Sequence, residues 1–144
     1  MRVERTIEIG AEPESVYEVV MNPRRLKDWV TIHQRLNGAP RGQLEKGSKL
    51  TQSLKLAGRG FKVHWTVVEV DPLRRVVWEG RGPVASRARV EYEFSPNGEG
   101  TRFSYVNEYD LPGGPLGKMA GRAVARVTEK ELEGSLRRLK SIVE

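Results

Sequence analysis

Residues 115–144, PLGKMAGRAVARVTEKELEGSLRRLKSIVE, predict one long helix, and the rest of the chain can be interpreted around it. Pro115 suits the first position of a helix and no further proline follows, so about 28 residues can form a rod roughly 42 Å long. One side of this segment carries charges at spacings of three and four residues, as a solvent-facing helical stripe does. The stripe consists of Arg122, Arg126, Glu129, Glu133, Arg137 and Lys140. This spacing predicts that the helix is continuous.

The apolar side of the predicted helix changes character along its length. Its C-terminal half carries bulky side chains, which are Leu132, Leu136, Leu139, Ile142 and Val143. Its N-terminal half carries smaller or more flexible residues, which are Leu116, Met119, Ala120, Ala123, Val124 and Val127, with Gly117 and Gly121 among them. Bulky side chains fill an interior whereas small ones leave volume, so the pattern predicts a core that is solid at one end and hollow at the other. The alternative is that large side chains from a facing sheet fill this volume.

Length and composition limit the class of protein. A chain of 144 residues predicts a single domain, residues 1–144, that is long enough for a sizeable core. The chain has no cysteine and no segment near the roughly 20 apolar residues that span a bilayer, so we predict a cytoplasmic protein without stable membrane insertion. The net charge of +6 comes from basic residues interspersed with acidic ones, which predicts no nucleic-acid partner. A monomer and a homodimer both remain open.

Most of the remaining chain predicts strands. Alternating apolar and polar residues between turn signals indicate seven strands, at residues 2–9, 32–37, 48–57, 61–70, 75–79, 86–94 and 101–109. Two short helices are predicted at residues 13–20 and 23–29. The connections between strands are too short for parallel crossovers, so the strands predict an antiparallel meander. Only the long helix can cover it, and the predicted fold is therefore α+β, a curved seven-stranded antiparallel sheet with two short helices, wrapped around the C-terminal helix.

Several stretches carry a resemblance to a known family. They are IEIGA at residues 7–11, PESVY at 13–17, the segment 22–29, VDPLRRVVW at 70–78, GTRF at 100–103 and LRRLK at 136–140. Through them the chain resembles the START/Bet v 1-like helix-grip superfamily, and within it the bacterial polyketide cyclase/dehydrase and lipid-transport-like (SRPBCC) group, over essentially its whole length. The resemblance implies a deep cavity between sheet and terminal helix that holds a hydrophobic small molecule. It does not choose between carriers and enzymes, because the superfamily includes lipid carriers, hormone binders and aromatase/cyclases.

Residue types that often carry catalysis are scarce in this chain. His33 and His64 are the only histidines, and without cysteine a zinc site would need both of them together with carboxylates, so we predict no metal. No nucleotide-binding motif is present, and we predict no cofactor. His64 is predicted to face solvent. His33 is predicted at the mouth of the cavity, where it is either a ligand-binding residue or an ordinary rim histidine.

Strand alternation identifies the polar side chains that face the interior. They are Gln52, Tyr92, Tyr105, Asn107 and Tyr109, whereas the acids Glu91, Glu93, Glu108 and Asp110 fall on the solvent face. The predicted ligand-binding set is Trp29, His33, Gln52, Trp65, Trp78, Tyr92, Tyr105, Asn107, Met119, Ala120 and Ala123. For Trp65 and Trp78 the alternative is a plain core position.

The chemistry of this set favours binding over turnover. Hydroxyls and amides orient a ligand well, but they are weak acids and bases without an activating partner, and no inward carboxylate is predicted. We therefore predict that the chain binds or transports a hydrophobic or aromatic small molecule, lipid-like or polyketide-like. The alternative is a polyketide aromatase/cyclase or dehydratase that uses Tyr105 or His33 as its proton donor.

Overall fold

The chain folds in the predicted order of elements, as the computed structural model shows for the residues it describes. These are residues 1–110 and 115–144, with the side chains of residues 1–109 and 122–144. The strands are β1 (Arg2–Ile9), β2 (His33–Asn37), β3 (Lys49–Leu56), β4 (Arg59–Asp71), β5 (Arg75–Arg81), β6 (Arg87–Asn97) and β7 (Gly100–Asp110). The α-helices are α1 (Pro13–Val20), α2 (Leu26–Trp29) and α3 (Pro115–Val143), and short 3₁₀ turns lie at Pro23–Arg25 and Pro83–Ala85.

The strands form an antiparallel sheet in the order β1-β7-β6-β5-β4-β3-β2. Consecutive strands from β2 to β7 pair with each other, and β1 pairs with β7, from Arg2 opposite Glu108 to Ile9 opposite Thr101. The two edge strands, β1 and β2, are consecutive in the chain, and α1 and α2 connect them. The predicted seven-stranded helix-grip fold is confirmed for the described residues.

The hairpin between β3 and β4 differs from the prediction by two residues. The sequence predicts a tight connection at Gly58, Arg59 and Gly60, but Arg59 already pairs with Leu56. The two residues between the strands, Ala57 and Gly58, have φ angles of 52° and 79°. Positive φ at both central positions is the type I′ geometry, whose twist matches that of the flanking strands. Strand β4 therefore begins earlier than side-chain alternation indicates.

The C-terminal half of α3 seals one end of the interior. Leu132, Leu136 and Leu139 are almost completely buried, in the same apolar cluster as Trp29 and Phe103. This arrangement confirms that the bulky half of the helix is densely packed. Among the helices of the described residues, none is long and apolar enough to cross a membrane.

Polar contacts hold the last turn of α3 against strand β1. Lys140 Nζ donates a hydrogen bond to the backbone oxygen of Glu8 at 2.9 Å. The Glu144 carboxylate accepts a hydrogen bond from the backbone N–H of Gly10 at 2.7 Å. This backbone hydrogen bond, together with the Lys140 ammonium, lowers the pKa of Glu144. These contacts anchor the C-terminal end of α3.

One acidic residue on the outer face of the sheet is not the surface charge that the sequence predicts. Glu91 alternates with the buried residues Val90 and Tyr92 and lies on the outer face, but only 7% of it is exposed. Its Oε1 atom accepts hydrogen bonds from Arg89 Nε at 2.9 Å and from Arg75 Nη2 at 3.3 Å. The two guanidinium groups cover the carboxylate and pair with its charge, as a buried charge requires. The alternation of side chains along the strand therefore predicts the correct face of the sheet for Glu91, but it does not predict that Glu91 is buried.

Candidate functional site

The polar residues of the interior meet at one small cavity between the sheet and the helices. Its volume is about 20 Å³. Its described lining consists of Leu26, Val30, Ile32, Gln52, Leu54, Val63, Trp65, Trp78, Val90, Tyr92, Tyr105, Asn107 and Tyr109. The structure thus brings six of the predicted ligand-binding residues together, which are Gln52, Trp65, Trp78, Tyr92, Tyr105 and Asn107. A single water needs roughly 10–15 Å³, whereas pockets for organic ligands measure about 300–1,000 Å³, so this cavity has room for about one water and not for an organic ligand.

Large aromatic side chains fill most of the described interior. Trp29, Trp65, Trp78 and Tyr92 are all buried. The ring of Tyr92 packs against both Trp29 and Trp78, with centroid distances of 5.8 and 5.7 Å. These rings therefore fill the interior around the small cavity. Trp65 and Trp78 are core residues that also line the cavity, and Trp29 lies deeper, against Phe103.

Trp65 can lie flat over the neighbouring strand because the residue opposite it is Gly80. The two residues are paired in the register of β4 and β5. A Cβ atom on Gly80 would lie 2.6 Å from Trp65 Cε3 and 2.6 Å from Val63 Cγ1, closer than side-chain atoms can approach. The glycine therefore makes room for the indole, which contributes a polar group to the cavity.

A chain of hydrogen bonds connects Trp65 to His33 through Gln52. Trp65 Nε1 donates to Gln52 Oε1 at 3.0 Å, and Gln52 Nε2 lies 2.9 Å from His33 Nδ1. An indole N–H can only donate, so the amide oxygen of Gln52 must face Trp65 and its NH₂ group must face His33. His33 Nδ1 is consequently the acceptor, and the proton of the neutral ring is on Nε2. The sequence predicts all three residues at the site, but nothing in it indicates that they form this series of hydrogen bonds.

His33 is held in its neutral form. It is half-buried, and burial lowers the pKa of its imidazole below the ordinary value of 6.5. A second proton would have to enter at Nδ1, where it would displace the hydrogen bond from Gln52. His33 can therefore offer an Nε2–H donor to a ligand, but it is poorly suited to the role of proton donor in catalysis.

The interior tyrosines are also neutral and hold their protons tightly. Burial raises the pKa of Tyr105 to about 12, although a hydrogen bond with Asn107 opposes the shift. Burial also raises the pKa of Tyr92 and of Tyr109, and the proximity of Tyr105 adds to both shifts. At Tyr109 a hydrogen bond with Thr128 of α3 opposes the shift. These hydroxyls can make hydrogen bonds to a ligand, but they are weak acids near neutral pH.

The structure corrects the predicted role of Ala123 in α3. This residue was predicted to line the cavity, but it is exposed. The prediction assigned too wide an apolar face to the thin half of the helix, and Ala123 lies beyond its edge. Met119 and Ala120, the other predicted ligand-binding residues of α3, lie outside the residues whose side chains the structure describes. The same holds for Leu116, Gly117 and Gly121.

Sequence reasoning missed two residues of α3 that turn toward the interior within the described segment 122–128. Thr128 is buried, and Ala125 packs against the apolar cluster. Counting back from the buried Leu132 by four and then by three residues reaches both positions, so helical periodicity contained this signal. Between them, Val127 is only half-buried. Packing is therefore looser around residues 124–127 than around the leucines that follow.

A wider recess lies on the outer face of the sheet. This open groove has a volume of about 1130 Å³. Most of its side chains alternate with interior ones, and they are Arg2, Lys49, Thr51, His64, Thr66, Glu79, Arg81, Arg87, Arg89 and Glu108. His64 is exposed here, as predicted, with Nδ1 3.0 Å from Thr51 Oγ1. His33 and His64 lie on opposite faces of the sheet and cannot ligate one metal ion.

A curved sheet that grips a terminal helix, with aromatic, amide and imidazole side chains meeting inside, defines a helix-grip protein. Comparison with known families gives the same class. The family described as polyketide cyclase / dehydrase and lipid transport matches residues 1–144, and the chain belongs to this family.

Individual relatives agree with this assignment. The uncharacterized protein Rv1546 of Mycobacterium tuberculosis is 27% identical over 135 residues, which cover 91% of this chain and 93% of that protein. The crystal structure of TTHA0849 from Thermus thermophilus is similar with a TM-score of 0.83, at 21% identity over 99% of this chain and 97% of that one. The aromatase/cyclase Zhui from Streptomyces sp. R1128 is similar with a TM-score of 0.78, at 14% identity over 99% and 93%. At these identities the two solved structures support the fold alone.

Proposed function

We propose that this chain binds a hydrophobic or aromatic small molecule between the sheet and α3, on the side of Ala125 and Thr128. The observation that carries the proposal is the convergence of hydrogen-bonding side chains on the interior cavity, next to the loosely packed part of the helix. A core that served stability alone would favour apolar side chains at these positions, because a buried polar group is unfavourable unless it is paired.

The chemistry of the lining suits a ligand that is mostly apolar. Gln52, Asn107 and Tyr105 supply a few polar groups, and aliphatic residues such as Val63 and Val90 surround them. Pockets for organic molecules usually combine a mainly apolar wall with a small number of fixed polar groups. The description of the family, which includes lipid transport, supports the same class of ligand.

Binding must widen the cavity, because about 20 Å³ is far less than an organic ligand occupies. The part of α3 around Ala125 and Val127 has little buried apolar surface to lose, so it can move at a low free energy. The buried leucines from Leu132 onward and the contacts of Glu144 keep the other end of the helix in place. We therefore propose that the ligand enters by displacing this half of α3 from the sheet.

Ala125→Trp is the substitution that tests the proposed position of the ligand. The indole would occupy the space between α3 and the sheet, so we expect the affinity for the apolar dye Nile red to fall at least about tenfold, a change of about 1.4 kcal/mol. The indole needs the same displacement of this half of α3 that a ligand needs, so the stability should fall only by the low free energy of that displacement. Fluorescence titration measures the affinity, and urea denaturation measures the stability.

Ala123→Trp is the matched control. It places the same side chain two residues away on the exposed side of the helix, so dye binding and stability should stay close to those of the unsubstituted chain. If Ala125→Trp instead destabilises the chain by about 1–3 kcal/mol and leaves dye binding intact, the dye does not bind beside Ala125 and the proposal is wrong.

The competing function is catalysis, as an aromatase/cyclase or dehydratase acting in the same cavity. The family description and the similarity to Zhui favour it, while the high pKa of Tyr105 and the occupied Nδ1 of His33 argue against an efficient proton donor. For binding alone, Tyr105→Phe should weaken affinity for a copurified small molecule by about 0.5–1.5 kcal/mol, the value of one hydrogen bond. For catalysis it should lower the rate about 10²–10⁴-fold at nearly constant affinity.

Mass spectrometry of a copurified compound, incubated with the protein for hours, decides between these functions. We expect the unsubstituted chain to leave the compound unchanged. Conversion that disappears in Tyr105→Phe would make catalysis the better proposal.

A further inference from the structure

The indole N–H of Trp78 is a buried hydrogen-bond donor without an acceptor among the residues that the structure describes. Only 2% of Trp78 is exposed, and its Nε1 atom makes no hydrogen bond with any residue that the structure describes. Trp78 also lines the interior cavity. Buried donors in folded proteins are nearly always paired, so an unpaired donor beside a cavity indicates a partner that comes from outside the chain.

The neighbouring polar groups are already engaged with one another. The oxygen of Gln52 accepts from Trp65, and its nitrogen is directed to His33. Asn107 interacts with Tyr105, and this interaction opposes the rise that burial causes in the pKa of Tyr105. Of these groups, the Trp78 N–H is the donor for which the described residues supply no acceptor.

We propose that the ligand presents a hydrogen-bond acceptor that carries no proton, such as a ketone or quinone oxygen, to Trp78 Nε1. This inference rests on the proposed function, because it names the class of ligand for the same cavity. An indole N–H can only donate, so it selects an acceptor atom, and a carbonyl oxygen satisfies it without an O–H hydrogen that needs an acceptor of its own. The volume of about 20 Å³ admits a single carbonyl oxygen, which is similar in size to a water oxygen.

Two other acceptors compete for this donor in the ligand-free protein. One is a buried water, which a carbonyl can displace while it reproduces the hydrogen bond. The other is an aromatic face, because the Trp78 ring packs nearly perpendicular to Tyr92 and Trp65, at angles of 72° and 73°. N–H contacts to an aromatic face are weak, so a carbonyl oxygen is the stronger partner.

A pair of planar compounds that differ by one oxygen tests the inference. Fluorene and 9-fluorenone have the same ring skeleton, and competition with Nile red measures the affinity of each. The affinity for 9-fluorenone divided by the affinity for fluorene should be about tenfold larger in the unsubstituted chain than in Trp78→Phe. The difference in hydration of the two compounds cancels in this comparison. Phe103→Leu, which shrinks another buried ring without removing a donor, should leave the ratio unchanged.

Infrared spectroscopy of bound 9-fluorenone gives a second measurement that needs no variant. A hydrogen bond from Trp78 should shift the carbonyl stretch to lower wavenumber than in a hydrocarbon solvent. This measurement remains available even if Trp78→Phe does not fold.

An unshifted stretch, or an equal affinity ratio in both chains, would overturn the inference and leave the proposed function standing. If Nile red itself does not bind, the proposed function fails and the inference fails with it. If the dye binds but 9-fluorenone does not displace it, only the inference is wrong.

Discussion

Trp29→Ala is expected to lower the free energy of unfolding by about 3–5 kcal/mol. Trp29 is completely buried, and its ring lies 5.5–6.4 Å from the rings of Tyr92, Phe103 and Tyr105. These neighbours are fixed in paired strands β6 and β7, so they cannot collapse into the space that the indole would leave. Urea denaturation followed by circular dichroism measures the loss.

Trp29→Phe is the matched control for this prediction. Trp29 Nε1 has no hydrogen-bond partner among the described residues, so a smaller aromatic ring leaves no acceptor unpaired. The loss of stability should therefore be clearly smaller than for Trp29→Ala, since it arises from lost packing alone. A loss below about 1 kcal/mol for Trp29→Ala would mean that the aromatic cluster is not the centre of the core.

Leu139→Ala is expected to lower the free energy of unfolding by about 2–5 kcal/mol. Leu139 is completely buried in the half of α3 that seals the interior. Val127→Ala, in the loosely packed part of the same helix, should lower it by only about 0.5–1 kcal/mol, because Val127 is half-buried and loses less apolar contact. The same denaturation experiment measures both variants.

The contrast between Leu139 and Val127 bears directly on the proposed function. A ligand can enter beside α3 only if part of the helix separates from the sheet while the rest stays anchored. Native-state hydrogen exchange should therefore protect residues 132–143 more strongly than residues 122–127. Equal protection of both segments in the absence of ligand would contradict this mode of entry. So would equal losses of stability in Leu139→Ala and Val127→Ala.

Part of the candidate site was predictable from the sequence because strand alternation acts locally. The period of two residues placed Gln52, Tyr105 and Asn107 on the interior face, and the structure brings them to one cavity. The hydrogen-bond chain that sets the tautomer of His33 was not predictable, because it joins three strands whose relative register depends on turns and bulges. Ala123 was assigned wrongly, because one helix alone does not indicate how wide its buried face is.

The order of elements, the antiparallel sheet and the dense end of α3 follow from periodicity, turn residues and side-chain size, which are properties of short segments. Three other features depend on contacts between elements. Glu91 is buried because Arg75 reaches it from the neighbouring strand and joins Arg89 of its own strand. The cavity is small because aromatic rings from several elements fill it, and Trp65 lies in it because Gly80 on another strand has no side chain. Packing density is a collective property of the assembled elements, so only the tertiary structure could decide how much of the predicted hollow remains open.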